Sequence, residues 1–377
     1  MKNSLKDFLR ITIPTFLILF VSLEMVVRVF YVHQNLRQLT GKEPTVNPMS
    51  QWAKPHPYAC YTAIPGDYSK SKTVNSHGFI STPELPWQKP TNTTRILFMG
   101  GSSTAGTGFN LPDEQTWPWK TVEKIRSSSA LQVDFINGAL GGYTSFESYG
   151  RLWSELFKYE PDLLILNHGW NELYYFDHLA DSIHLWRADF DLKSEEVVTA
   201  IAPAAIDPYI GWSQLLTKLR IRWSSKPAQS GELAKVTAEE LSTNYNEKGL
   251  FIFRRNLRLI RDFCRRKGVR LAVCKQPTLM TATTSEEDRK RCRFSNHGFD
   301  YEAHLRAYEA LYQVIEQEIP ASDIIDLTPI SGKPGYFYDH VHPTPSGTSA
   351  IASLVAQWCH HLSGGTTGPA GELKKIP

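Results

Sequence analysis

Near the C-terminal end of the sequence, the stretch YDHVHPTPSG sets Asp339 three residues before His342. A carboxylate that close in one loop can hold the Nδ1 proton of an imidazole, leaving Nε2 to take a proton from a weak nucleophile such as serine. Far upstream, RILFMGGSSTAGTG (95–108) turns from an apolar run into glycines, serines and threonines. Such a loop can cradle a phosphate, make a plain turn or seat a nucleophile. A P-loop needs a lysine after its second glycine, and Thr107 follows Gly106 instead; a dinucleotide loop needs three spaced glycines, and only Gly106 and Gly108 fit. Both phosphate readings fail on the residues that carry their chemistry, which leaves a glycine-flanked serine as partner for Asp339 and His342.

These residues resemble the SGNH (GDSL-like) hydrolases. The first family motif matches Gly100-Gly101-Ser102-Ser103-Thr104-Ala105-Gly106; on that register Ser102 is the nucleophile and its backbone N–H one oxyanion donor, and Ser103 is the rival. The second, an Asn followed five residues later by Gly, matches NGALGGYTS and implies Gly142 as a backbone donor. The third, Gly-x-Asn-Asp, matches Gly169-Trp170-Asn171-Glu172 and implies the Asn171 amide as the third donor. Asp339 and His342 supply the last motif, and the four occur in family order over roughly 93–362. Gly101 and Glu172 stand where the family usually carries Asp; neither position belongs to the implied triad or oxyanion set. The resemblance implies a flavodoxin-like three-layer α/β/α sandwich around a five-stranded parallel sheet, and an ester hydrolase working through an acyl-serine.

The elements that must position these residues can be read independently. Candidate strands fall at 95–100, 132–137, 162–167, 269–275 and 323–327, with helical patterns at about 115–128, 146–159, 246–267, 302–318 and 346–362. Short apolar strands alternating with amphipathic helices predict a parallel sheet covered on both faces. Ligands in such sheets sit beyond the carboxyl ends of the strands, where the loops GGSSTAG, GALGGYTS and HGWNE begin. The predicted organisation is an N-terminal helix over 1–33, a Pro-rich stalk and lead-in over 34–92, the hydrolase domain over 93–363 and a flexible tail over 364–377. An insertion at about 176–245 contains WSQLLTKLRIRW, read as a peripheral helical excursion packed on the core, with a lid or a second membrane contact as the alternatives.

The N-terminal segment, ITIPTFLILFVSLEMVVRVFYV (11–32), is long enough to cross a bilayer and follows Lys2, Lys6 and Arg10. Positive charge before the span predicts a signal-anchor with the remainder extracytoplasmic. Glu24 and Arg28 are its weak point, because mid-bilayer charges are costly unless paired. Net charge is +3 with the signs interspersed, which argues against a nucleic-acid partner. Five cysteines without metal spacing read as buried small hydrophobes, with a Cys60–Cys292 disulfide the one pairing considered. No cofactor or metal is expected: His340, beside Asp339 and His342, finds no further ligand cluster and is placed facing solvent or supporting the loop. His168 reads as a packed residue that supports its loop.

For the substrate, Tyr143 and Trp170 are expected to line the mouth, with Tyr174, Tyr175, Trp117 and Trp119 nearby in sequence. The resemblance, not the composition, implies O-acyl, foremost O-acetyl, esters of a carbohydrate or cell-envelope polymer. The alternatives are a lipid-directed esterase or thioesterase at the membrane, and an acyltransferase or non-catalytic assembly factor.

Overall fold

The computed structural model describes residues 8–31, 52–69, 71–109, 111–176, 204–223, 241–293 and 297–364. The C-terminal tail from 365 onward, the first part of the stalk up to residue 51 and the greater part of the 176–245 insertion lie outside the described residues. The chain divides into two units, residues 49–192 with 236–377 and residues 1–48 with 193–235.

The larger unit opens with two antiparallel hairpins, β1 (Ala53–His56) with β2 (Cys60–Ala63) and β3 (Gly66–Ser69) with β4 (Lys72–Val74). Then come β5 (Thr93–Gly100), α1 (Ser102–Ala105), α2 (Trp117–Ser128), β6 (Gln132–Asn137), α3 (Ser145–Ser154) and β7 (Leu163–Asn167). After the insertion follow α4 (Lys248–Lys267), β8 (Arg270–Lys275), α5 (Tyr301–Glu318), β9 (Ile324–Asp326) and α6 (Pro345–Gly364). The five strands β6-β5-β7-β8-β9 form one sheet, and every pairing in it is parallel. Helices flank it: α2 packs with α6, and α4 packs with α3 and α5. The runs 96–99 and 163–166 are buried on both faces, which is why these strands read as continuous apolar segments rather than alternating ones.

The strand order reverses between β5 and β7, the place where open α/β sheets bind their ligands. Register places Gly100 of β5 opposite Asn167 of β7, so the loops that follow these strands leave the sheet side by side. The lead-in is more than a spacer. Ala53, Tyr61, Ala63 and Val74 of the hairpins join Ala105, Ala139, Leu140 and Tyr143 in a second apolar cluster beneath the site loops. The helix expected to reach residue 159 ends at Ser154; a 3-10 turn, Leu156–Tyr159, follows, and the left-handed Glu160 before Pro161 ends it. None of the five cysteines is in a disulfide, so the Cys60–Cys292 pairing is not made; Cys60 instead points its thiol at Glu147.

The smaller unit holds the helix Ile13–Phe30 and, from the insertion, the short helices Asp207–Ile210 and Gln214–Arg222. The segment Arg10–Phe30 is, among the described residues, the one helical stretch long and apolar enough to cross a membrane. Its apolar side chains are mostly exposed, as in Phe16, Ile18 and Val29. The insertion helices pack in this unit, where Ser213 and Gln214 meet Glu24 of the N-terminal helix.

Candidate active site

β5 ends at Gly100, Gly101 is extended, and Ser102 starts the four-residue helix α1, which closes on Gly106 in the left-handed region. Two asparagines at neighbouring strand ends fasten this turn: Asn137 Nδ2 donates to Thr104 O at 3.3 Å and Asn167 Nδ2 to Thr104 Oγ1 at 3.1 Å. Ser102 is thereby presented above the sheet, while Ser103 is buried and its Oγ accepts from Gln276 Nε2 at 3.0 Å.

Ser102 Oγ lies 2.8 Å from His342 Nε2, and His342 Nδ1 faces the Asp339 carboxylate at 2.8 and 3.0 Å. A carboxylate at Nδ1 selects the tautomer with its proton there, so Nε2 accepts from the serine hydroxyl. Asp339 Oδ1 also accepts the backbone N–H groups of Val341 and His342, each at 2.9 Å. Burial pushes the Asp339 carboxyl up, but its hydrogen bond to His342, the neighbouring imidazoles and the Val341 amide outweigh this and hold it well below the usual carboxylate range. The group is therefore an anion at neutral pH and a fixed acceptor for the ring. The imidazole itself lies against Gly108, where an added methyl would come within 2.1 Å of His342 Cδ2.

The second and third loops converge on the same serine. A methyl on Gly141 would lie 3.9 Å from Ser102 Cβ, and one on Gly101 would lie 2.5 Å from Asn171 Nδ2. Gly101 thus stands where the Asn171 amide needs room, which accounts for the missing aspartate at that position. Asn171 Nδ2 donates to Tyr143 O at 2.9 Å, and an amide nitrogen carries a second hydrogen beyond that bond. Tyr61 OH donates to Gly141 O, so the hairpins grip the loop that carries Gly142. Downstream the loop runs into α3, whose N-cap Thr144 and Glu147 form a capping box. Buried Glu172 accepts from Ser145 N at 2.6 Å and Ser145 Oγ at 2.9 Å; it ties the third loop to that helix start.

Two expectations about the mouth are overturned. Tyr143 is fully buried, its hydroxyl donating to Tyr61 O and its ring 5.3 Å from that of Tyr61, so it supports the loop from below and offers no face to a ligand. Trp170 is buried between imidazoles, with ring centroids 3.6 Å from His340 and 5.5 Å from His304. His340 is correspondingly enclosed rather than solvent-facing; burial drives its pKa down to about 3 despite Asp339. His168 is buried as well, bonded to Ser148 Oγ at 2.8 Å and kept neutral by burial with a pKa of about 3. Asp339, His340 and His342 do bring ligand-type atoms within 4.8 Å of one another. The His342 nitrogens, however, already face Asp339 and Ser102.

Sequence reading missed three contributors. Phe109 and Tyr338 are exposed and stacked on each other at 4.6 Å, and the Phe109 ring lies 5.7 Å from that of His342. They are the aromatic surface that the mouth presents beside the imidazole. Gln276, directly after β8, accepts from Trp170 N at 2.7 Å while donating to Ser103, so one amide joins the first and third loops. Its place at a strand's carboxyl end was the available signal.

The sequence model of the GDSL-like lipase/acylhydrolase family matches residues 96–355. The chain belongs to this family. As a GDSL-like acylhydrolase it is an ester hydrolase, and the match spans β5 to α6, from the Ser102 loop through the Asp339–His342 loop. Among solved structures it is similar to an acetylxylan esterase from Geobacillus stearothermophilus at 13% identity, TM-score 0.39, over 70% of this chain and 93% of that one. It is also similar to a GDSL-like lipase from Bacteroides thetaiotaomicron at 14% identity, TM-score 0.36, over 71% of this chain and 88% of that one. A search of curated proteins found no match.

Proposed function

We propose that this GDSL-like hydrolase is a serine esterase that removes O-acyl groups, foremost O-acetyl, from a carbohydrate or cell-envelope polymer outside the cytoplasm. The observation that carries the reading is the unbroken relay from Asp339 through His342 to Ser102, with successive contacts of 2.8 Å. In this mechanism His342 Nε2 takes the Ser102 proton as Oγ attacks the acyl carbon, and the imidazolium formed is stabilised by Asp339. Negative charge collects on the former carbonyl oxygen, for which the backbone N–H groups of Ser102 and Gly142 and the Asn171 amide are the donors. His342 returns the proton to the leaving alcohol, then deprotonates the water that cleaves the acyl-serine. Phe109 and Tyr338 supply the stacking face for the sugar ring that bears the ester. The N-terminal helix, preceded by Lys2, Lys6 and Arg10, anchors the enzyme with this unit on the far side of the membrane.

A second reading, hydrolysis of lipid esters or thioesters at the membrane, draws on the same exposed aromatic pair and the same anchor. Labelling with a fluorophosphonate tests the nucleophile: wild type and Ser103→Ala take the label, Ser102→Ala does not. Label retained by Ser102→Ala overturns the assignment. A series of p-nitrophenyl esters then separates the substrates, because acetate is preferred in the first reading and long acyl chains in the second.

A further inference from the structure

Glu24 and Arg28 looked like charges misplaced in an apolar span; in the structure they are a socket. Glu24 accepts four donors: Arg28 Nε at 2.7 Å, Ser213 Oγ at 2.7 Å, Gln214 N at 2.9 Å and Leu215 N at 2.9 Å. Two of these are the orphan amides at the start of the helix Gln214–Arg222, whose positive dipole end therefore rests on the carboxylate. Arg28 completes the joint by donating to Trp212 O at 2.8 Å, and Trp212 packs on Phe20 at 6.1 Å between centroids. Six residues separate Glu24 from Phe30 at the helix end, about 9 Å along the axis at roughly 1.5 Å per residue. With the span ending at Phe30, the joint therefore lies below the headgroups, in the outer half of the hydrocarbon layer, and the helix Gln214–Arg222 runs from it towards the boundary at Tyr31, over whose ring Lys218 sits.

The outward side of the docked segment suits that depth. Ile206, Tyr209, Trp212, Leu219 and Trp223 are exposed large apolar or aromatic residues within one short stretch, and tryptophan and tyrosine favour the membrane–water boundary. Basic side chains alternate with them: Lys218 lies over the Tyr31 ring at 4.9 Å, Arg222 is exposed, and Arg220 is bonded to Asp207 at 2.8 Å. Apolar rings beside cations match anionic lipid headgroups.

We propose that residues 206–223 form a second, interfacial membrane anchor. They enter the outer leaflet beside the spanning helix, held there by Glu24 and Arg28, and bind anionic phospholipid at the boundary. This rests on the reading that Arg10–Phe30 spans the bilayer. The test uses the full-length chain in phosphatidylcholine vesicles, with and without phosphatidylglycerol, whose acyl chains are brominated to quench nearby tryptophan. Wild-type emission is expected to be quenched, more strongly with the anionic lipid. Trp212→Phe with Trp223→Phe should lose more than half of that quench. Glu24→Ala should weaken it while the protein still resists alkaline extraction. Quenching unchanged by the double tryptophan variant, in protein that resists extraction, overturns the inference and leaves the span intact; so does protection of both tryptophans by a second copy. Extraction of the wild type by alkali alone overturns the spanning reading itself.

Discussion

His340 and His342 stand two residues apart in one loop and occupy opposite environments. His342 is partly exposed, bonded at both nitrogens, and positioned to move a proton. His340 is sealed against Trp170, with His297 and His304 behind it, and burial keeps it neutral. The loop achieves this because it is pinned on both sides of the pair. Leu279 N and Thr278 Oγ1 donate to His340 O at 2.9 and 2.7 Å, while Tyr338 N donates to His342 O at 2.9 Å. Residue type therefore set neither role; enclosure did. One imidazole is placed between Asp339 and Ser102 with its edge partly exposed, and the other is enclosed and supports the loop.

That contrast can be broken most sharply by truncating each ring. His342→Ala should lower kcat by roughly 10⁴-fold with little change in denaturation midpoint. His340→Ala should instead destabilise the fold by about 2–3 kcal/mol, as a cavity opens beside Trp170, and lower kcat far less. Ester turnover and urea unfolding on both variants decide the matter, and equal kcat losses would dissolve the distinction. Next in size, Gly108→Ala should cost about 100-fold in kcat by displacing the His342 ring, with stability nearly unchanged.

A smaller effect appears in the pH dependence of stability. His168, His304 and His340 have folded-state pKa values lowered by burial to about 3 from 6.5, and His297 is pushed in the same direction. Between those limits the unfolded chain binds protons that the folded chain refuses. Stability is thus full above about 6.5 and falls as the pH falls, by about 1.4 kcal/mol per pH unit for each site. Urea midpoints taken across this range should follow that slope, and His340→Phe should make it shallower by one site's share. Smallest of all, Phe109→Ala or Tyr338→Ala should raise KM several-fold for a sugar ester while Tyr143→Phe leaves KM alone, checked by initial rates.

The sheet was legible because both faces of 95–100 and 162–167 are covered, which leaves apolar runs that no surface strand would carry. The spacing of Asp339 and His342 and the glycine-flanked Ser102 were legible because short-range geometry limits what such residues can do together. Orientation was not. Tyr143 and Trp170 follow the right strands, yet side-chain direction in a loop depends on partners such as Tyr61 and His340, which are remote in sequence or otherwise featureless. Phe109 and Tyr338 meet only in the folded chain. Arg28 is a local partner of Glu24, but the helix start that Glu24 caps lies about 190 residues away, so no local pattern could reveal that its charge caps another helix.

The grip of Tyr61 on Gly141, and of Tyr143 on Tyr61, sets where this polypeptide can be cut. Cleavage before Trp52 leaves both hairpins in one chain with the sheet and keeps the contacts of Tyr61 and Tyr143 beneath the Gly141–Gly142 loop. Cleavage after Val74 strips away the strands beneath Gly141 and Gly142 while sparing Ser102, Asp339 and His342. The first cut separates the N-terminal helix from the chain while residues 206–223 stay in it, so release from that helix also requires undocking at Glu24; the second leaves a fragment that still holds Ser102, Asp339 and His342 but has lost the strands that grip Gly141.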